Sequence, residues 1–291
     1  MTPFAEALME QLREDPSLRL TAIMELALVP LPARERLMEH FSQSAWPLLH
    51  QPCFANIRDI GPWLLSSGER LSLDAQYEFH CKVSELAGDV PWSWLVSSQE
   101  PERLANHLGQ ACIARIPDGS SCLLRPYTTE ALPVLYERRD LPGIDDLFAP
   151  IRYWWVVQPQ PQKNLWLDHR GHDRPDFSGQ VSIRLDQRCV DALTTDPLSH
   201  SLADQLQEAL VSQVRDNCRG HRIAQVRRLL ADARKHGLTR QEDLEAYVIF
   251  VARHGQLLHD TPAWQAALEA VRDDGHSLAQ ALQQRLPRNA K

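Results

Sequence analysis

The sequence predicts an α+β protein, with an N-terminal mixed sheet and flanking helices followed by a C-terminal antiparallel helical domain. Three observations carry this. In the first two thirds, apolar residues fall in short, strand-like runs broken by most of the 20 prolines. After Leu198 the pattern changes to leucine and valine at helical spacing, in stretches separated by glycine or proline. Between the two lies Gln158 to Lys163 (QPQPQK), an extended polar segment. The expected division is an α+β domain over residues 1–157, a linker and β-hairpin region over 158–197, and a helical domain over 198–291.

Phe4, Leu8 and Leu12 share one face of an opening helix. It stops at Asp15-Pro16, because a residue before proline is pushed out of the α region. Leu18 to Val29, bounded by Pro16 and Pro30, reads as a buried strand, with helix as the alternative. Pro32 to Phe41 is helical, Ile60 to Leu65 extended, and Leu73 to Leu86 helical with Tyr77, Cys81 and Leu86 as markers. Trp92 to Val96 is a strand. Pro101 to Leu108 is a short helix opening on proline, where the missing N–H costs nothing. Cys112 to Ile116 and Ser121 to Tyr127 form a hairpin across Pro117-Asp118-Gly119: proline presets φ, and glycine supplies a positive one. A helix over Thr129 to Arg138 precedes strands at Ile151 to Val157, Leu165 to Leu167 and Val181 to Leu185. His169 to Gly179 is a polar loop.

In the last third, Leu202, Leu206, Leu210 and Val214 form a helical stripe, with Ser201 and Asp204 as a capping box. A second stripe, Ile223 to Ala233, stops at Gly237. A third helix, capped by Thr239 and Glu242, carries Leu244, Tyr247, Val248 and Val251 to Gly255. A fourth starts at Thr261-Pro262 with Trp264, Leu268 and Val271. A fifth starts at Ser277 with Leu278, Leu282 and Leu286. Short connections imply antiparallel neighbours. Unequal lengths argue against a repeat array.

The net charge of −7 is unevenly spread: residues 1–200 carry 18 basic and 27 acidic groups, residues 201–291 carry 13 and 11. Neither part has the dense basic face that a nucleic-acid duplex demands. The N-terminus MTPFAEALMEQLRED lacks the basic and apolar regions of a secretory signal. The longest apolar runs, such as Tyr247 to Ala252, are too short for a bilayer. A cytoplasmic protein without membrane insertion is expected. Cys53, Cys81, Cys112, Cys122, Cys189 and Cys218 form no CxxC pair and read as reduced core residues.

No nucleophile elbow, Walker loop, dinucleotide fingerprint or HExxH motif occurs. Only 12 glycines are available for any phosphate cradle. Asp168 to Asp173 (DHRGHD) places imidazoles beside carboxylates. This supplies one alternative reading, a small metal-dependent hydrolase using His169, His172 and Asp173. The ordinary reading is a polar loop, since a structural zinc site needs about four ligands and no second cluster is nearby. His80 and Cys81 are adjacent and diverge by about 100° on a helix, a poor arrangement for a nucleophile and its base. No catalytic residue, metal or cofactor is expected, and the chain is read as a non-enzyme.

Arg215 to Lys235 carries a local +5, including Arg222, Arg227 and Arg228. Such a face could dock an acidic partner; it could equally be a solvated helix surface. A peptide-binding regulatory protein is a second alternative. In Tyr153-Trp154-Trp155, alternation sets Trp154 on the face opposite its neighbours. Core packing is the ordinary reading, an interface aromatic the other.

Several segments resemble, in order, the adaptor or chaperone family of bacterial type VI secretion. These are the Tap- or Tec-type proteins of unknown-function domain class encoded beside VgrG spikes. Gly61-Pro62-Trp63-Leu64 and Trp92-Ser93-Trp94-Leu95-Val96-Ser97-Ser98 are similar to its tryptophan-bearing strands. Pro101 to Leu108 is similar to its helix ending in histidine-leucine, and Ile116-Pro117-Asp118-Gly119 to its hairpin turn. Leu124-Arg125-Pro126-Tyr127 is similar to its return strand, and Phe148-Ala149-Pro150-Ile151 to the step before its last strand. The chain departs from the family at Gly109, where arginine is usual, at Thr128-Thr129-Glu130, which replace Asp-Pro-Arg, and at Ala149, which replaces glycine. The resemblance implies that residues 1–157 are an adaptor domain. Such a protein binds an effector, through its PAAR or N-terminal region, and helps load it onto the VgrG spike; a co-chaperone is a further partner. Arg125, Tyr127 and Trp154, with Arg222, Arg227 and Arg228, are the candidate partner-binding residues.

Overall fold

A computed structural model describes residues 2–68, 72–87, 92–162, 164–194, 197–214, 219–255, 261–273 and 275–285. The chain divides into two compact units, one of residues 1–158 with 166–195, the other of 159–165 with 196–291. The architecture is α+β, as the sequence predicts.

The strands are β1 (Arg19–Glu25), β2 (Ala45–Pro47), β3 (Pro62–Ser66), β4 (Trp92–Ser97), β5 (Ile113–Arg115), β6 (Ser121–Leu123), β7 (Tyr153–Pro159), β8 (Asn164–Arg170) and β9 (Ile183–Arg184). The helices of the first unit are α1 (Pro3–Glu14), α2 (Leu31–His40), α3 (Leu73–Ala87), α4 (Pro101–Gln110), α5 (Ala131–Glu137), α6 (Ile144–Leu147) and α7 (Gln187–Leu193). The main sheet runs β2-β3-β1-β4-β7-β8 and is antiparallel. The expected mixed pairing is displaced to a small second sheet, β6-β5-β9, in which β5 pairs antiparallel with β6 and parallel with β9. The 3-residue and 2-residue lengths of β5 and β9 leave no periodicity from which their pairing direction could be read.

Both faces of the main sheet are covered. Leu20, Ala22, Met24, Trp94, Val96 and Trp155 turn to one face, with Leu8 and Met9 of α1, Leu37 of α2 and Phe79 and Val83 of α3. Ile23, Leu64, Leu95, Trp154 and Val156 turn to the other, with Leu104 and Leu108 of α4, Leu132 of α5 and Leu147 of α6. A strand covered on both sides has no face turned to water, which is why β1 (RLTAIME) places apolar residues on both faces and does not alternate apolar with polar.

Several boundaries differ from those expected. β1 ends at Glu25 and passes into a 3₁₀ turn at Leu26–Leu28, so the strand is shorter than Leu18 to Val29. β6 stops at Leu123 rather than Tyr127: Pro126 has no N–H to continue a ladder. β7 runs on through Pro159, so the first residues of the predicted linker complete a strand. β8 likewise takes in His169 and Arg170 from the predicted loop. β2, α6 and α7 were not foreseen. α7 carries a readable signal, since Asp186 caps it by accepting from the Cys189 N–H at 2.8 Å.

The second unit consists of α8 (Pro197–Gln205), α9 (Gln207–Leu210), α10 (Arg219–Lys235), α11 (Gln241–His254), α12 (Pro262–Asp273) and α13 (Leu278–Arg285). Leu202, Leu206, Leu210, Val226, Leu229, Tyr247, Val248 and Trp264 share its core. Ser201 lies inside α8, so the expected capping box there is not formed; Pro197 starts the helix a turn earlier. At α11 the N-cap is Arg240, one residue past Thr239. The caps at Thr261 and Ser277 are present: Trp264 N–H donates to Thr261 Oγ1, and Gln280 N–H to Ser277 Oγ, both at 3.3 Å. Arg215, Asp216, Cys218 and Leu286 lie outside the described residues.

Candidate functional site

Two of the predicted partner-binding residues meet at the end of β1. Glu25, the last residue of that strand, points to the face that carries Ile23. There the Tyr127 hydroxyl donates to Glu25 Oε2 at 2.6 Å, and Arg125 Nη1 lies 3.9 Å from the same oxygen. Glu25 and Tyr127 are buried, while the Arg125 side chain is 56% exposed. Burial and then the neighbouring Glu25 carboxylate push the Tyr127 hydroxyl far above the ordinary tyrosine value, so it stays a hydrogen donor. Burial likewise pushes the adjacent Cys112 thiol up to about 12, which makes it an inert core group. Just beyond, Thr128 Oγ1 accepts from the N–H of Ala131, the first residue of α5. Tyr127 therefore ties the hairpin to the sheet, and Arg125 is left at the surface.

Replacing Tyr127 with phenylalanine should cost about 1–3 kcal/mol, because a buried carboxylate loses its closest donor. Urea unfolding would show this as a lower midpoint at unchanged slope. An unchanged midpoint would mean the bond carries no stability.

The second polar seam holds the Phe148 to Ile151 step. Backbone N–H groups of Gly171, His172, Asp173 and Arg174 donate to the carbonyls of Arg152, Phe148, Ile151 and Ala149. Gly171 is required there: a Cβ would sit 2.2 Å from the Ile151 carbonyl oxygen. Ser97 Oγ donates to the Pro150 carbonyl at 2.6 Å, and His107 Nε2 lies 3.1 Å from the Leu147 carbonyl oxygen. Burial holds His107 below the ordinary histidine value. The hydrolase candidates fall in this seam, each with its own neighbour. His169 is buried in β8 against the Tyr136 ring, with centroids 4.9 Å apart. His172 Nε2 lies 2.8 Å from Asp145 Oδ1, and Asp173 Oδ2 accepts from Arg152 at 3.0 Å. Among the described residues, no three His, Cys, Asp or Glu side chains are grouped to hold a metal ion.

Trp154 is fully buried in the same core cluster as Tyr127, so its ring is occupied by packing and offers no surface to a partner. Of the two readings of the Tyr153-Trp154-Trp155 alternation, core packing, the ordinary one, is what the structure shows, because α-helices cover both faces of the strand. On α10, Arg222 is buried and donates to the Ala203 carbonyl at 3.2 Å, a role inside the second unit. Arg227 is half-buried and Arg228 exposed. Arg219 pairs with Asp204 at 2.9 Å. The basic helix is thus divided between internal bonds and an outward face.

One feature escaped the sequence reading. Ala27, Leu28, Pro30, Leu31 and Pro32 are all exposed, Leu28 by 51% and Leu31 by 59%. Ile60, 44% exposed, adjoins them: the Leu26 N–H donates to the Gly61 carbonyl at 3.0 Å, and Glu25 is in register with Pro62. The available signal was Leu26 to Ala33 (LALVPLPA), eight residues without a charge.

Residues 22–145 match the family model of a domain of unknown function (DUF4123), a family associated with type VI secretion effector adaptors. No curated protein and no solved structure matches the chain. Among the described residues, no helix is long and apolar enough to cross a membrane.

Proposed function

We propose, from the match of residues 22–145 to that family, that this protein is a cytoplasmic adaptor for type VI secretion. In this reading it binds an effector through the effector's PAAR or N-terminal region and helps load it onto the VgrG spike, with a co-chaperone as a further partner. It works by binding and performs no chemistry of its own. The matched stretch runs from β1 through α4 and the β5–β6 hairpin into α6. It contains the Glu25–Tyr127 tie and the exposed apolar residues at the end of β1, two features suited to a rigid binding platform. The polar groups of the Phe148 to Ile151 seam are spent on holding chain segments together, consistent with a scaffold role.

The test is a pull-down of the tagged full chain from native cells, read by mass spectrometry. The expected result is recovery of an effector together with VgrG or a PAAR protein. Recovery of no secretion component would overturn the proposal.

A further inference from the structure

We infer that the tip of the β7–β8 hairpin, residues 159–165, is a clasp of the second unit: it opens and closes with the first half of α10 and the end of α11 as one cooperative block. The composition of QPQPQK is that of a linker, which would run exposed and without partners. Three observations stand against that role. The first is membership. Residues 153–158 of β7 and 166–170 of β8 belong to the first unit, whereas 159–165 belong to the compact unit of 196–291. Pro159 and Pro161 are half-buried, and their fixed φ leaves the tip few other shapes to adopt.

The second observation is the bonding. Gln162 Nε2 donates to the Gln213 carbonyl at 2.8 Å. Gln213 ends the 3₁₀ turn Val211–Gln213, and its own side-chain amide reaches two helices. Its Nε2 donates to the Ala252 carbonyl of α11, and its Oε1 accepts from Gln225 Nε2 of α10, both at 2.9 Å. Asn164 Oδ1 accepts from His221 Nε2 of α10 at 2.8 Å. One set of side-chain amides and an imidazole thus holds the tip, the turn, α10 and α11.

The third observation is the burial of those groups. On the first half of α10, His221, Arg222 and Gln225 are buried; on the second half, Leu229, Leu230 and Ala233 are. Polar side chains removed from water need protein partners. Arg222 bonds to the Ala203 carbonyl of α8. His221 and Gln225, one turn apart on the same helix face, bond to Asn164 and to Gln213, the residue that receives Gln162. Opening the tip therefore costs a buried group of α10 a partner, and opening α10 costs the tip its own.

The test is hydrogen exchange of the full chain at about pH 7, read peptide by peptide by mass spectrometry. Asn164→Ala should speed exchange in residues 219–226 and 248–254 by about 10-fold or more, with α4 of the first unit unchanged. Gln162→Ala should speed the same segments about threefold, since its bond is exposed. Asn164→Asp should keep the protection of the unmodified chain, because a carboxylate oxygen also accepts from His221. Gln160→Ala should change nothing: among the described residues, the Gln160 side chain forms no hydrogen bond. Loss of all protection in the second unit with α4 intact is the expected result carried further. The inference is overturned by unchanged exchange in Asn164→Ala, by equal acceleration in α4, by an equal effect of Gln160→Ala, or by lost protection in Asn164→Asp.

Discussion

Gly109→Ala should destabilise the first unit by about 3 kcal/mol or more, and Gly109→Arg should prevent it from folding. Helix propensity predicts the opposite sign, because alanine in a helix interior is favoured over glycine by about 1 kcal/mol. The contact geometry decides between them. A Cβ on Gly109 would lie 2.4 Å from the Leu48 carbonyl oxygen and 2.6 Å from His50 Cε1. The histidine ring can turn away, but the carbonyl belongs to backbone that is fixed on both sides. Leu48 N–H donates to the Pro62 carbonyl, which anchors the segment to β3, and Gln51 Nε2 donates to the Gly109 carbonyl at 2.8 Å. Moving α4 away would open the core around Leu104 and Leu108. Urea unfolding of the alanine variant provides the measurement, and a change within 1 kcal/mol would show that α4 can shift freely. The position is also where the chain departs from the arginine usual in the resembling family. In this chain, the Leu48 carbonyl and the His50 ring occupy the space that any side chain at position 109 would need.

The same contrast explains what was legible in the sequence. β4, α4, the Pro117–Gly119 turn and α10 to α13 were readable because their signals are local: a proline, a glycine at positive φ, or a stripe at helical spacing. Gly119 has φ +86, as its turn requires. What could not be read depends on partners distant in the chain. Tyr127 meets Glu25 across 102 positions, and nothing near either residue announces the other. Arg222 reads as part of a cationic helix surface, but its long stem lets the guanidinium reach the Ala203 carbonyl within the unit. The exposed apolar stretch at the end of β1 has the reverse problem. A charge-free run is the ordinary sign of burial, and only the turn from β1 into a 3₁₀ helix shows that half of it faces outward.

Arg240→Ala should destabilise the second unit by about 3 kcal/mol, more than Asp243→Ala, although the two residues share one bond. Asp243 is buried in the first turn of α11, and both of its oxygens are engaged. Oδ2 accepts from Arg240 Nε at 2.6 Å, and Oδ1 accepts from the Leu278 N–H at 2.7 Å, so a side chain of α11 caps the start of α13. Arg240 also donates to the carbonyls of Gly275 and His276, the loop that leads into α13. Without Arg240, a carboxylate stays buried with a single N–H to stabilise it, and the loop loses its clamp. Without Asp243, the arginine, whose side chain is 43% exposed, regains water, and the main cost is a buried Leu278 N–H without its acceptor, about 1–2 kcal/mol, since Ser277 still caps α13. The double variant should therefore cost less than the sum of the singles, because the stranded charge no longer exists. Chemical unfolding followed by far-ultraviolet circular dichroism tests this order. Strict additivity, or a larger cost for Asp243→Ala, would mean that the ion pair contributes little and that the cap alone joins α11 to α13.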